Sequence, residues 1–206
     1  FVLAFGEVGG MLLVCGFGGY VLSRLQPKGI KAVFVLIVLT MMMPATVRMV
    51  PLYMSFVEFP IGHFSMLNTY WPLIMIAAAN SFNLVLFKNF FDSVSMSLVE
   101  AAWMDGCGHL GIFFRIMVPL SIPVIAYTAI RGFNGTWSDF LMPMLVISDR
   151  TLQPVPTAIY QMKATALVKI NNYMMSLCIA CIPPLIVFAI FQKQIMGGVN
   201  IGGVKG

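Results

Sequence analysis

The sequence predicts an all-α integral membrane protein. Of its 206 residues, 60% are hydrophobic and only 9% are charged, and the mean hydropathy is +0.94. A soluble domain carries about 25% charged residues, so this chain is too poor in charge to cover a surface that faces water. Five apolar stretches are long enough to cross the bilayer, since about 20 helical residues span its hydrocarbon core. We therefore expect one multi-pass membrane domain over residues 1–206, with five transmembrane helices.

The first two predicted spans lie near the N-terminus. The first runs from Val2 to Leu25 and is rich in glycine, which suits close packing between helices in lipid. The second runs from Ala32 to Tyr53, and Pro44 and Pro51 are expected to kink its far end. The chain starts at Phe1 inside an apolar run without a charged region before it, so we expect a truncated N-terminus rather than a signal peptide.

Three further spans follow. They run from Tyr70 to Phe91, from Pro119 to Ile147 with a polar middle, and from Asn172 to Gln192 with Pro183 and Pro184 inside. The chain contains no internal repeat and no stretch with the composition of a soluble domain. This organisation predicts a single transmembrane domain.

Basic residues predict the orientation. The formal net charge is +5, but the basic residues are spread along the chain without a basic run, which argues against nucleic acid as a partner. Lys and Arg gather on cytoplasmic connections, so the better-populated side is expected to be cytoplasmic. That side carries Arg24, Lys28, Lys31, Lys88, Arg115, Lys193 and Lys205; the other carries Arg150, Lys163 and Lys169, with Arg48 near its edge.

A compact polar passage, EAAWMDGCGHLGIFFRIMVPLSIP, interrupts the apolar sequence from Glu100 onward. Ser97 and Glu100 have the spacing of a capping box and predict the start of a short helix. Gly106 can close that helix in the left-handed conformation, and a second short helix is predicted from Ile112 to Val118. From the residues alone, the segment 93–118 is equally well interpreted as a rigid two-helix projection or as an ordinary re-entry between spans.

The order E-A-A, three residues, G, nine residues, I-x-hydrophobic-P resembles the EAA loop of permease subunits of binding-protein-dependent ABC importers. Val118 stands where Leu is usual, and Asp105 and Leu120 match the carbohydrate branch. The stretches LNTYWPLI, GTWSDFLMPMLVISD and GGVNIGGVKG also resemble carbohydrate-type permeases, such as the smaller permease of the maltose system. Members usually have six spans, so the resemblance implies that one N-terminal span is missing here.

The resemblance implies a multi-pass subunit of the cytoplasmic (inner) membrane that works by alternating access. Its expected partners are membrane lipid, a second permease subunit, two ABC ATPase subunits and an extracytoplasmic solute-binding protein, which would meet the segment between Asp149 and Asn171. ATP and Mg would be bound by the ATPase subunits, and no cofactor by this chain. The EAA loop would dock on the ATPase through Glu100, Ala101, Ala102, Asp105, Gly106, Ile116 and Pro119.

Polar residues inside predicted spans are candidates for a substrate pathway, because such groups are costly in lipid and usually face a cavity or a partner. A helical spacing puts Arg131, Asn134, Ser138 and Asp139 on one face of the fourth span, and Asn80 and Asn83 form a smaller pair in the third. Trp137 is a candidate ring for stacking on a sugar, and Glu7 is a lone acid in the first span. The alternative is that Arg131 and Asp139 brace neighbouring helices while Trp137 anchors at the membrane interface.

Other functions fit the sequence less well. The chain has no GxxxxGK[ST] loop, no grouped His, Asp and Ser set, and no metal-ligand pattern, so we predict no catalytic residues, no metal and no enzyme. The nearest alternative is the same type of importer for a polyol, glycerol phosphate or another solute. A secondary transporter is a further alternative, but it would predict inverted repeats and intramembrane carboxylates for ion coupling.

Overall fold

A computed structural model describes residues 1–164 and 169–198. Within these ranges the chain forms helices and connecting loops, with no β-strand. In chain order the helices are α1 Val2–Leu25, α2 Ile30–Met42, α3 Ala45–Val57, α4 Trp71–Ala78, α5 Ser81–Ser93, α6 Met96–Met104, α7 His109–Leu120, α8 Ile122–Ser138, α9 Leu141–Val146, α10 Val155–Ala164 and α11 Ile170–Gly198.

Three segments are long and apolar enough to cross a membrane as single units. They are Val2–Leu25, Trp71–Ser93 and Ile170–Gln192, and they confirm the first, third and fifth predicted spans. The middle one consists of α4 and α5, which meet at Asn80. Asn80 caps α5, because its side-chain oxygen accepts a hydrogen bond from the backbone amide of Asn83 at 3.0 Å.

The second and fourth predicted spans are bent pairs of helices. The chain bends by 110° between α2 and α3 and by 75° between α7 and α8, so the described residues form up to five spans if each pair crosses once. The bend predicted at Pro44 is confirmed and is a full break, since Pro44 follows an extended Met43 and starts a new helix, whereas Pro51 lies inside α3. A continuous span to Ile147 was wrong for the fourth, because the extended backbone at Asp139 ends α8.

Glycines of α1 allow this helix to lie close against its neighbours. A Cβ atom added at Gly19 would be 2.7 Å from the Cβ of Phe87 and 2.9 Å from the backbone nitrogen of Lys88. Gly10 similarly faces Ile74, whose Cγ2 would be 3.2 Å from an added Cβ. The prediction of close helix packing through the glycines of the first span is therefore confirmed at these positions.

At one end of the bundle α1 meets α5, α6 and α7. Aromatic rings of Phe17, Tyr20, Phe91 and Phe113 pack together there, with Phe17 stacked on Phe113 at a centroid distance of 4.3 Å. Polar contacts close the same region. The Ser23 hydroxyl donates to Asp92 at 2.6 Å, and the Arg24 guanidinium donates to the backbone carbonyls of Phe91 and Val94. We call this region, which leads into Lys28 and Lys31, the basic end.

The opposite end has a smaller core and a backbone clasp. Phe56, Leu73 and Val146 are buried there in one apolar cluster. Asn68 accepts hydrogen bonds on its side-chain oxygen from the backbone amides of Ser148 at 2.7 Å and Asp149 at 3.1 Å. Two stretches that carry the family resemblance, LNTYWPLI and GTWSDFLMPMLVISD, therefore meet each other.

Two helices bury little within the chain. α2 has no buried residue along its length, and in the most apolar window of α11 no residue is buried. Their exposed side chains are mainly Leu, Ile, Val, Phe and Met. Lipid or a protein partner must cover these helices, as expected for a membrane subunit.

Candidate functional site: a polar cavity and a two-helix loop

A cavity of about 210 Å³ lies between α1, α4, α5 and α8. Its wall combines apolar residues of α4 with polar side chains from all sides of the bundle. The polar side chains are Glu7, Asn80, Asn83, Arg131, Thr136 and Asp139.

Glu7 and Thr136 connect α1 to α8 across this cavity. The Thr136 hydroxyl donates to Glu7 Oε2 at 2.5 Å. The Thr136 hydroxyl oxygen also lies 3.0 Å from the backbone carbonyl oxygen of Gly132. An added Cβ at Gly132 would be 2.5 Å from the Met11 methyl group, so α8 presents a backbone face to α1 here. The carboxyl group of Glu7 is thus held at the cavity wall by a neighbouring span.

The two asparagines of the third span have different roles. Asn80 holds the start of α5, as described above. Asn83 is only 3% exposed, and its amide nitrogen contacts the Met11 sulfur at 2.6 Å. Its side-chain oxygen is buried and has no hydrogen-bond partner within the described residues. A buried acceptor without a donor is costly, so this oxygen at the cavity wall is suited to a hydroxyl or a water molecule.

Arg131 and Asp139 give the cavity charges of opposite sign. The guanidinium carbon of Arg131 lies 4.5 Å from the centre of the Phe82 ring, an arrangement that favours a cation. The Asp139 carboxyl group faces the backbone amides of Phe140, Leu141 and Met142 at the start of α9.

Asp139 also lines a second cavity of about 300 Å³, between α3, α4 and α9. Arg48 lies on its wall, together with Ile76 and Met142, which both cavities share. From the sequence, Arg48 was placed only near the edge of the membrane. The structure brings it to the polar region, so a polar zone extends from α1 to α3.

Three of the predicted pathway residues lie elsewhere. Asn134 does not line the polar cavity. Trp137 and Ser138 line a larger, mostly apolar cavity of about 730 Å³ between α8, α10 and α11. The Trp137 indole donates to the carbonyl of Ala180 at 2.9 Å, and its ring stacks on Phe133 at 5.6 Å. The hydrogen bond to Ala180 ties Trp137 of α8 to α11, a contact that neither sugar stacking nor interfacial anchoring had predicted.

The predicted two-helix loop is formed by α6 and α7. Gly106 closes α6 with a φ of 81°, as predicted, and its amide donates to the carbonyl of Trp103 at 3.0 Å. The predicted capping box was wrong, because α6 begins at Met96, with Ser95 as its N-cap. The Ser97 hydroxyl lies 2.7 Å from the Ser95 hydroxyl, and Ser97 is inside the first turn of α6 rather than at its N-cap.

The second helix of the loop is longer than predicted. α7 begins at His109 and continues past Pro119 to Leu120, whereas the sequence predicted a helix from Ile112 to Val118. A π-helical turn at Phe113–Met117 precedes the proline. Such turns accommodate a residue that cannot donate a backbone hydrogen bond, so Pro119 does not end the helix.

The residues predicted to contact an ATPase divide into an exposed set and a buried one. Glu100, Ala101, Asp105, Gly106 and Pro119 are exposed, and Ile116 is half-buried. Ala102 is 6% exposed and packs with Val99 in the core of the basic end, so most of its side chain faces the bundle. It fixes α6 onto the bundle.

Sequence reasoning missed an apolar surface beside Glu100. Met104 is 84% exposed, Leu110 67% and Phe114 54%. The Trp103 ring stands edge-on to His109 at 5.8 Å. Thr136 was also missed; a hydroxyl four residues from Gly132 carries no sequence signal that separates it from other threonines. The exposed apolar residues were detectable, since they flank the polar residues of the loop.

The family of binding-protein-dependent transport system inner membrane components matches residues 16–198 of this chain. The chain belongs to that family. This inner membrane component is therefore a multi-pass membrane protein and a transport component rather than an enzyme, as predicted.

Characterised relatives of the inner membrane component carry permease names. The probable ABC transporter permease protein YurM of Bacillus subtilis is 32% identical over 197 residues, which cover 95% of this chain and 64% of YurM. The arabinooligosaccharides transport system permease protein AraQ of Halalkalibacterium halodurans is 31% identical over 199 residues, covering 95% of this chain and 68% of AraQ. The resemblance to carbohydrate-type permeases is thus confirmed. The component spans less than two thirds of YurM.

A solved structure has the same fold. It is a bacterial ABC transporter involved in the import of the acidic polysaccharide alginate, and one of its chains superposes with a TM-score of 0.79 at 23% identity. The match covers 93% of the inner membrane component and 70% of that chain.

Proposed function

We propose that the inner membrane component is the permease subunit of an ATP-driven importer that moves a carbohydrate across the cytoplasmic membrane by alternating access. The observation that carries this proposal is the polar cavity inside an otherwise apolar bundle, with Asn83, whose side-chain oxygen is buried and unpaired, among its lining residues. A rotation of the Asn83 side chain would bring that oxygen to a hydroxyl group of a passing solute. Residues Asn80, Asn83, Arg131 and Asp139 retain their proposed pathway role, and Glu7, Thr136 and Arg48 join them.

The cavity favours a neutral saccharide over a phosphate ester. Its wall carries two carboxyl groups, Glu7 and Asp139, and one guanidinium, Arg131; with Arg48 of the adjacent cavity the pathway has as many carboxyl groups as guanidinium groups. A phosphate ester would require a net positive surround. Glycerol phosphate is therefore the weaker candidate, whereas sugars and polyols both supply the hydroxyl groups that Asn83 and Thr136 can bind.

The two-helix loop is the proposed contact with the ATPase subunits. It lies at the basic end, which we assign to the cytoplasm because Lys and Arg concentrate on cytoplasmic connections. Exposed Glu100 would pair with a cation of the ATPase, while Met104 and Leu110 would supply apolar contact. The ATPase subunits would hold ATP and Mg, and their closure would move α6 and α7 together with the spans.

Two further partners complete the proposed assembly. A second permease subunit would cover the exposed apolar surface of α11 and close the polar cavity from the side. A solute-binding protein would meet the segment between Asp149 and Asn171, of which residues 165–168 lie outside the described part. The C-terminal GGVNIGGVKG stretch also lies largely outside it, from residue 199 onward.

Reconstitution tests this function directly. The component would be incorporated into proteoliposomes with its partner permease, ATPases and binding protein, and uptake of labelled saccharides, polyols and glycerol phosphate would be measured with and without internal ATP. We expect saccharide uptake that requires both ATP and the binding protein. Uptake that persists without ATP would instead establish a secondary transporter.

A further inference from the structure

A separate cavity of about 270 Å³ opens at the basic end between α1, α2 and α5. It is distinct from the polar cavity and from the two-helix loop. Its wall combines the apolar side chains of Leu22, Phe34 and Val35 with Lys31 and Lys88, and the Lys88 ammonium lies 5.1 Å from the centre of the Phe34 ring. Such a combination suits an amphiphilic ligand rather than a small soluble ion.

The charges around this cavity leave a net positive site. Lys88 Nζ lies 2.5 Å from Asp92 Oδ2, so these two charges balance each other. The other oxygen of Asp92 accepts the Ser23 hydroxyl, as described above. Lys31 is exposed, and no carboxylate pairs with it among the ion pairs of the described residues. Lys28 lies one helical turn before it, in the connection that leads into α2. An anion beside Lys31 would therefore meet uncompensated positive charge.

The start of α2 adds to this positive potential. Its N-cap is Gly29, which has no side chain to cap the helix, and its first turn contains no acidic residue. The amides of Ile30 and Ala32 donate to the carbonyls of Pro27 and Gly29, which leaves the amide of Lys31 to add its partial positive charge toward an anion. Lys31, Lys88 and the start of α2 thus lie at one opening.

The apolar wall continues along α2 away from the lysines. Val35 is 56% exposed and Leu39, one turn further, 50%. α2 buries none of its residues, so this surface meets hydrocarbon in a membrane. A ligand that placed an anionic group at Lys31 could lay an acyl chain along α2. Free phosphate would leave the apolar wall unused.

We propose that this cavity, which we call the lysine cleft, binds the headgroup of an anionic phospholipid of the cytoplasmic leaflet. Lys31 and the start of α2 contact the phosphate, Lys88 forms the floor through its pair with Asp92, and Phe34 and Val35 contact the first carbons of an acyl chain. Basic pockets between transmembrane helices on the cytoplasmic side are suited to such headgroups. The proposal goes beyond the proposed transport function and does not depend on the identity of the solute.

Native mass spectrometry of the full chain with its partner subunits in mild detergent tests the lysine cleft. Phosphatidylglycerol and phosphatidylcholine with the same acyl chains would be titrated separately, and inorganic phosphate would be added in excess to a third sample. We expect preferential retention of phosphatidylglycerol. Lys31→Gln should reduce that retention about fivefold, the effect of one basic residue near a membrane surface, and should leave phosphatidylcholine unchanged.

Lys163→Gln is the matched control, since Lys163 is also exposed and lies in α10, far from the lysine cleft along the chain. It should not change lipid retention. Equal losses in both variants would mean a general charge effect and would overturn the proposal. Displacement of phosphatidylglycerol by inorganic phosphate would assign the cleft to a soluble anion instead. Because lipid retention is measured without transport, failure here leaves the proposed transport function untouched.

Discussion

The hydroxyl of Thr136 in α8 donates a hydrogen bond to the carboxyl group of Glu7 in α1, with 2.5 Å between the two oxygens. The two residues are 129 positions apart in sequence, and their hydrogen bond fixes two spans against each other beside the polar cavity. Interhelical hydrogen bonds in membranes contribute about 0.6 kcal/mol on average and rarely exceed 1.7 kcal/mol.

Thr136→Val should lower the free energy of unfolding in detergent by about 1 kcal/mol, because it keeps the shape of the side chain and removes the donor. Thr136→Ser retains a hydroxyl and is the matched control. Unfolding by increasing concentrations of denaturing detergent, followed by circular dichroism, measures the difference. Equal stability of the two variants would show that the Glu7 contact contributes nothing.

Asn83→Val should weaken solute binding during transport. The unpaired oxygen of Asn83 is the acceptor that we assign to a solute hydroxyl, and loss of one such hydrogen bond raises KM about tenfold. Asn89→Val, an exposed position on the same helix, should leave KM unchanged. Uptake assays in proteoliposomes measure both, and an unaltered KM in the Asn83 variant would remove this residue from the pathway.

Glu100→Ala should lower substrate-stimulated ATP hydrolysis while leaving the transporter assembled. Glu100 is exposed and makes no contact that the fold needs, so the change affects only its partner. A charged hydrogen bond contributes about 1.5–3 kcal/mol, enough to align the loop but not to hold the complex. Glu58→Ala, an exposed acid at the opposite end, is the control. Normal coupling in the Glu100 variant would contradict the assignment.

Gly106→Ala should distort the turn between α6 and α7. Gly106 has a φ of 81°, a left-handed conformation that costs a residue with a Cβ about 1–2 kcal/mol. Gly108→Ala is a close control, because Gly108 has a φ of −73° and, like Gly106, has open space where a Cβ would lie. We expect reduced stimulation of the ATPase in the Gly106 variant alone. The same activity in both variants would falsify a requirement for the left-handed turn.

Gly19→Ala should destabilise the bundle by about 1–3 kcal/mol, the usual cost of overpacking. The added methyl group would collide with the Cβ of Phe87 and the backbone of Lys88, neither of which can move aside freely. Gly9→Ala in the same helix meets nothing within 4 Å and should be neutral. Thermal unfolding in detergent compares them, and a stable Gly19 variant would refute the close approach of α1 and α5.

The sequence predicted the approximate positions of the membrane segments because span length and composition are dictated by the bilayer itself. Val2–Leu25 was predicted to the residue, and the glycine at position 106 closes its helix as expected. These features depend on local physics. A helix must satisfy its own backbone in lipid, and a left-handed residue favours glycine.

The arrangement of side chains between spans was harder to predict. In lipid, a face that meets hydrocarbon and a face that meets another helix are equally apolar, so hydrophobic periodicity does not reveal which neighbour a residue faces. Asn134 and Ser138 were placed with Arg131 by helical spacing, yet they do not line its cavity. Thr136 and Arg48 lie in the polar zone because of how α8 and α3 are oriented against their neighbours. No local sequence pattern encodes that orientation.

The contact between α1 and α5 at Gly19 has a mechanical consequence. The backbone of α1 at Gly19 packs directly against the Cβ of Phe87 and the backbone of Lys88 in α5. Sliding of one helix along the other would break this contact and the packing of the aromatic residues around it. This contact opposes shear between the two helices, so we expect them to move together. We expect any hinge rotation at the two sharp bends of the chain, at Pro44 and Ser121.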